Sequence, residues 1–223
     1  MKNITYVFSG SRKERFLKKD YEAIEFFYGL GIFSSKNYNL EIIEPKISNF
    51  FGKNILKFID TFFKKIINLP VYMYEYYSFK NIKILARTDK LVLVNESTFC
   101  SLAPILFFIK IFTKIDVYVF AMGLYSKKLR FPKLRIFHFM FISLFSNIAT
   151  NVFFLGEGEY KNALEIHPKF KDKYVLFPFS VDTAFWNSKN IPINERKEVL
   201  FVGNDGNRDP ELLIKIIEYF ENI

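Results

Sequence analysis

A repeated alternation constrains this chain more than any other feature. Short, nearly continuous apolar runs recur at Ile4–Phe8, Leu40–Ile43, Leu91–Val94, Val117–Ala121, Val152–Leu155, Tyr174–Phe177 and Val199–Val202. A strand with one wet face alternates polar and apolar residues, whereas a continuous run has both faces buried, as in a parallel sheet. Stretches of helical period separate the runs. Residues 51–67 place Ile55, Phe58, Ile59, Phe62, Ile66 and Ile67 on one stripe, with Lys53, Lys57, Asp60 and Lys64 on the other side. Residues 134–148 place Leu134, Phe137, Phe141, Leu144 and Ile148 on a stripe whose flanks are also apolar, which predicts a helix that is buried or touches a membrane. Residues 70–80 fit an aromatic edge strand or a helix start equally well. Strands alternating with helices predict an α/β fold: a Rossmann-like, doubly wound parallel sheet.

The alternation is interrupted once. Residues 187–197 are polar, contain Pro192 and have no period, so they read as a linker. A further strand, loop and helix follow, with Asp209 as N-cap, Pro210 at the first helical position and a stripe of Leu212, Leu213, Ile216, Ile217 and Phe220. The expected organisation is a domain over 1–186, a linker over 187–197, and the first strand–helix unit of a second domain over 198–223. One such unit cannot bury its own apolar face, so a continuation past residue 223, or docking onto the first domain, is expected.

Composition removes several classes. One cysteine, Cys100, excludes a disulfide framework and a cysteine zinc site, and two histidines, His138 and His167, leave little for a metal centre. Cys100 reads as buried and inert, His138 as a packed core residue and His167 as a surface residue. No secretory signal is visible at the start of the chain. Residues 136–155 carry no formal charge, but His138, Ser143, Ser146, Asn147, Thr150 and Asn151 interrupt them. A buried helix followed by a strand is therefore expected rather than a membrane span. The expected location is cytoplasmic, with peripheral contact to the inner face of the cell membrane. The net charge of +9 favours anionic partners. No nucleic-acid-binding module is recognisable, so nucleic acid is not expected.

Several positions carry possible chemistry. Gly10 follows the first strand in SGSRKER, where backbone N–H groups and nearby cations suit a phosphate, or where an ordinary turn precedes a solvated basic run. Asn95 and Glu96 end the third run, where open α/β sheets bind ligands. Glu96 there suits a base that orients an acceptor hydroxyl, and helix capping by Asn95, Ser97 or Thr98 is the competing reading. Glu157 and Glu159 divide in the same way between chemistry and complementing a helix dipole. Gly203, Asn204, Asp205, Gly206, Asn207 and Arg208 form a glycine-bearing loop after a buried strand, suited to wrapping a diphosphate that Arg208 neutralises, or to an ordinary strand–helix connection with N-capping chemistry. Lys127, Lys128, Arg130, Lys133 and Arg135 form a basic segment with no acid between them, beside an apolar helix. That combination suits an anionic membrane surface as well as a solvated loop.

Three phrases carry a resemblance. YVLFPFSVDTAFW at 174–186 is similar to the end-of-first-domain phrase of GT-B glycosyltransferases of the group-1 (family 4) type, with Ser180 where glycine is usual and Val181, Asp182, Thr183 and Phe185 matching. KEVLFVGNDGNRDPELL at 197–213 resembles the strand, loop and helix that open their donor domain. VFFLGEGEYKNAL at 152–164 resembles the unit before the first phrase, and the order and spacing of the three agree. There are departures: Asp209 follows Arg208 where the family usually has lysine, and AMGLY at 121–125 lacks a histidine common there. The family's Glu-x7-Glu motif would fall beyond residue 223. The resemblance implies a nucleotide-sugar donor, a saccharide or lipid-linked acceptor, and transfer that needs neither a metal nor a resident cofactor. It implies donor binding by Gly10 and 203–208, and acceptor binding near 9–15, 95–98 and 122–125.

Overall fold

The structure, a computed structural model, describes residues 2–20, 22–34, 38–46, 52–126, 135–186 and 210–221. Six of the seven apolar runs form strands: β1 (Asn3–Val7), β2 (Asn39–Ile43), β3 (Lys90–Leu93), β4 (Asp116–Ala121), β5 (Asn151–Phe154) and β6 (Tyr174–Leu176). The run at 199–202 and the 187–197 segment lie outside the described residues. The six strands make one sheet in the order β2-β1-β3-β4-β5-β6, every neighbouring pair parallel. Around it lie α1 (Arg12–Leu17), α2 (Leu30–Ser34), α3 (Lys53–Phe62), α4 (Met73–Tyr76), α5 (Phe79–Leu85), α6 (Glu96–Phe112), α7 (Arg135–Ile148) and α8 (Glu157–Ile166). The fold is α/β and Rossmann-like. The chain forms two compact units, 1–186 and 187–223. In the second, α9 (Pro210–Glu221) begins at the proline, as its preset φ favours.

Burial on both faces explains the continuous runs. From β1, Ile4, Tyr6 and Phe8 enter a cluster with Phe27, Leu30, Ile42, Val92, Val94 and Phe120. Val7 points the other way, into a larger cluster with Leu91, Leu93, Val117, Val119, Val152 and Phe154, roofed by Phe99, Leu102 and Leu106 of α6. Each fully buried side chain of this kind contributes roughly 1.5–3 kcal/mol. Residues 70–80 form α4 and the start of α5, and the Tyr76 hydroxyl donates to the Phe8 carbonyl at 3.3 Å.

The predicted stripes of both helices are divided between core and surface. In α3 the inward contacts come from Leu56 and Ile59, and one further turn, Phe63–Ile67, adds Phe63 and Ile67. Asp60, expected in water, is 1 % exposed. Its carboxylate accepts from the backbone N–H groups of Met73 at 3.0 Å and Tyr74 at 3.2 Å, capping α4 from another helix. The predicted stripe is split: Ile59 and Ile67 face the core, whereas Ile55, Phe58, Phe62 and Ile66 face outward. In α7 the buried residues are His138, Ile142, Ser143, Phe145, Ser146 and Ile148, whereas Phe137 and Leu144 are exposed. The C-terminal end of α7 is capped by Lys173 Nζ, which donates to the carbonyls of Ser146, Asn147 and Ala149, and by Lys110 Nζ, which donates to that of Ile148. Residues 136–155 are thus a helix followed by a strand. Among the described residues no helix is long and apolar enough to cross a membrane.

His138 and Cys100 are buried, as expected, but so is His167. Its ring stacks on Phe139 with centroids 4.3 Å apart, and its Nδ1 is 3.3 Å from Ser143 Oγ. Apolar packing under α7 outweighs the polar sequence around it. Burial first, then the Lys169 and His138 charges, lower its pKa to about 4.

Two outcomes follow from these cores. Asp60→Ala strands two buried N–H groups and should cost about 3 kcal/mol in urea unfolding. His167 is neutral when folded and takes a proton when unfolded, so its contribution is fully present above its ordinary pKa. The unfolding free energy should therefore fall as pH drops from about 6.5 toward 4, and His167→Gln should flatten that slope.

Candidate functional site

Strand order reverses between β1 and β3, so their outgoing loops diverge and leave a crevice at the carboxyl edge. Val7 pairs with Leu93, and Gly10 and Glu96 each stand three residues beyond that pair. The register therefore carries both predicted residues to the same carboxyl edge. The segment 22–34 crosses the same edge.

Around Gly10 there is open space. The first turn of α1 is already satisfied: the N–H groups of Arg12 and Lys13 both donate to Glu44 Oε1, just after β2. A carboxylate of the chain itself thus occupies the N–H groups that a phosphate there would use. Much of the basic run is also engaged. Arg15 pairs with Asp20 at 3.0 Å and Lys18 with Glu14 at 2.7 Å. The Arg12 guanidinium lies 5.6 Å over the Phe26 ring.

At the end of β3 the capping reading belongs to Asn95, whose side chain accepts from Thr98 N at 2.9 Å. Glu96 opens α6 and is half-buried. It lies within electrostatic reach of Tyr28. Burial raises the Tyr28 phenol above its ordinary value, the Arg12 charge lowers it, and the Glu96 charge raises it. Arg12 and Glu96 thus act on the Tyr28 phenol with opposite sign.

Tyr28 has a left-handed backbone (φ 50°), followed by Gly29 at φ 78°. For a bulky residue that conformation costs on the order of 1–3 kcal/mol, and it persists where surroundings enforce it. Here the Tyr6 hydroxyl donates to the Tyr28 carbonyl at 3.1 Å, and the Tyr28 ring packs 4.8 Å from Phe120. Beside it is a cavity of about 210 Å³ lined by Glu25, Tyr28, Gly29, Phe120, Phe177 and Ser180. Aromatic walls with a few polar groups at the rim suit a small ligand that has both apolar faces and hydroxyls.

Other carboxylates are committed to structure. Glu159 accepts from Gly123 N at 2.8 Å and Tyr125 N at 3.0 Å, fixing the loop after β4. Glu157 pairs with Lys161 one helical turn on, at 2.7 Å. Sequence reasoning missed Glu25. Its carboxylate accepts from Trp186 Nε1 at 2.6 Å and Asp182 N at 3.3 Å, tying the 180–186 phrase to the lining of the cavity. Asp182 caps the turn at 184–185. No spacing rule signals a partner 161 residues away.

Arg135 is exposed at the start of α7. Lys127, Lys128, Arg130 and Lys133, and the whole 203–208 loop, lie outside the described residues. The fold and the crevice define a Rossmann-like α/β protein with a candidate ligand site at the strands' carboxyl edge. No known family model matches the chain, and no curated protein matches it significantly.

The chain has a single tryptophan, Trp186. Glu25→Ala removes its indole hydrogen bond, so acrylamide should quench its fluorescence more strongly than in the parent protein.

Proposed function

We propose that this chain is the acceptor-side part of a glycosyltransferase, moving a sugar from a nucleotide-sugar donor to a saccharide or lipid-linked acceptor in cell-surface polysaccharide or glycolipid assembly. The observation that carries this reading is the aromatic-walled cavity beside Tyr28, lined by Phe120, Phe177, Glu25 and Ser180, at the carboxyl edge of a Rossmann-like sheet. Glu96 orients the acceptor hydroxyl or removes its proton. The loop Gly203–Arg208 holds the donor diphosphate, and stabilising that leaving group supplies most of the rate. No metal enters this scheme.

One observation favours a second reading. Glu44 already fills the N–H groups at the start of α1, which leaves that turn no free anion site. A non-catalytic α/β binding module would have the same geometry.

Nucleotide response separates the two. The transferase reading expects UDP or GDP to raise the melting temperature, Arg208→Ala to abolish that rise, and Glu96→Gln to lower transfer by roughly 10²–10⁴-fold while nucleotide still binds. A folded chain whose melting temperature no nucleoside diphosphate or nucleotide-sugar changes would sink the transferase reading and favour the module.

A further inference from the structure

The outward-facing part of the α3 stripe leaves a surface that the site does not use. Ile55 is 66 % exposed, Phe58 74 %, Phe62 45 % and Ile66 40 %. Scattered apolar residues on a surface are ordinary, but four on successive turns of one face are not. α7 lies beside the turn that follows α3. Phe63 at the end of α3 meets Phe141 of α7 with ring centroids 5.0 Å apart, and α7 exposes Ile136, Phe137, Met140 and Leu144. A groove of about 480 Å³ runs along α7, lined by Phe137, Met140, Phe141 and Leu144, with Lys169 at its edge. The last turn of α6, which packs beside α7, exposes Phe108 and Phe112 as well.

The exposed charges of α3 and α7 themselves have one sign. Lys57 and Lys65 are exposed on α3, and Arg135 is exposed at the start of α7. The one acid of α3, Asp60, is buried against Met73 and Tyr74, and α7 has no acid. Large apolar side chains flanked by lysine and arginine, with no exposed carboxylate on either helix, match the boundary between acyl chains and anionic headgroups. A second copy of the same face would oppose cation to cation.

We propose that α3 and α7 together form a docking face for an anionic lipid bilayer, with α3 lying in the plane of the headgroups. Phe58 and Phe62 enter the acyl boundary, and Lys57 and Lys65 contact lipid phosphates. This inference is independent of the transferase reading, because vesicle binding tests it whether or not a nucleotide binds.

The test is sedimentation of the full chain with phosphatidylcholine vesicles, with and without phosphatidylglycerol. Binding is expected to the anionic vesicles and to be much weaker on phosphatidylcholine alone. The double variant Phe58→Glu with Phe62→Glu should abolish it. Lys57→Glu with Lys65→Glu should weaken it by roughly twentyfold or more, at about fivefold per lysine. The same charge change at Lys18 and Lys19, after α1 on the other side of the sheet, should leave it unaltered. Melting temperatures confirm folding, and Ile55→Gln with Ile66→Gln replaces the phenylalanine pair if that variant fails to fold. Absence of binding to anionic vesicles overturns the proposal. So does binding that survives both apolar variants, or a dimer that they dissociate in a chain that ignores vesicles.

Discussion

Everything in the first unit depends on burying both faces of a parallel sheet. Crossover helices must return each strand to the same edge, so the two faces receive helices rather than water. Here α2 and the 24–27 turn cover one face around Tyr6 and Phe8, and α6 with its neighbours covers the other around Leu91 and Val117. The same winding opens the crevice. The chain leaves β1 for β2 on one side and returns to β3 on the other, so the loops at Gly10 and Glu96 part.

Polar groups then resolve what burial leaves behind. Helix ends and loops carry unpaired N–H and carbonyl groups, and this chain satisfies many of them with distant charged side chains. Glu44 serves α1, Asp60 serves α4, Glu159 serves the 123–125 loop, and Lys173 with Lys110 serves the end of α7. Part of the charge that gives the chain its basic character therefore works internally. Glu25 does the same for the 182–186 phrase, and so ties the cavity lining to the last described segment of the first unit.

The strands, the parallel sheet and the start of α9 at Pro210 were legible in the sequence, because continuous apolar runs and a proline at a helix start each have one economical local solution. The crevice was legible in outline: Glu96 and Gly10 follow strands whose carboxyl ends must meet in such a sheet. Asn95 as a cap was legible too. Glu25, Glu44 and the strained Tyr28 were not. Their partners lie far along the chain, and their roles exist only once the 22–34 segment crosses the edge.

Periodicity establishes that α3 and α7 have an apolar stripe, but not which way the stripe faces. The sequence by itself determined the type and order of the elements, since the period of burial is a local property of side chains. Tertiary structure decided orientation: Asp60 turned inward to two N–H groups, Phe58 outward to the surface, and His167 under α7. The reason is that a helix settles where all its neighbours are satisfied together. Here one orientation of α3 buries Leu56, Ile59, Phe63 and Ile67 and also brings Asp60 to two N–H groups.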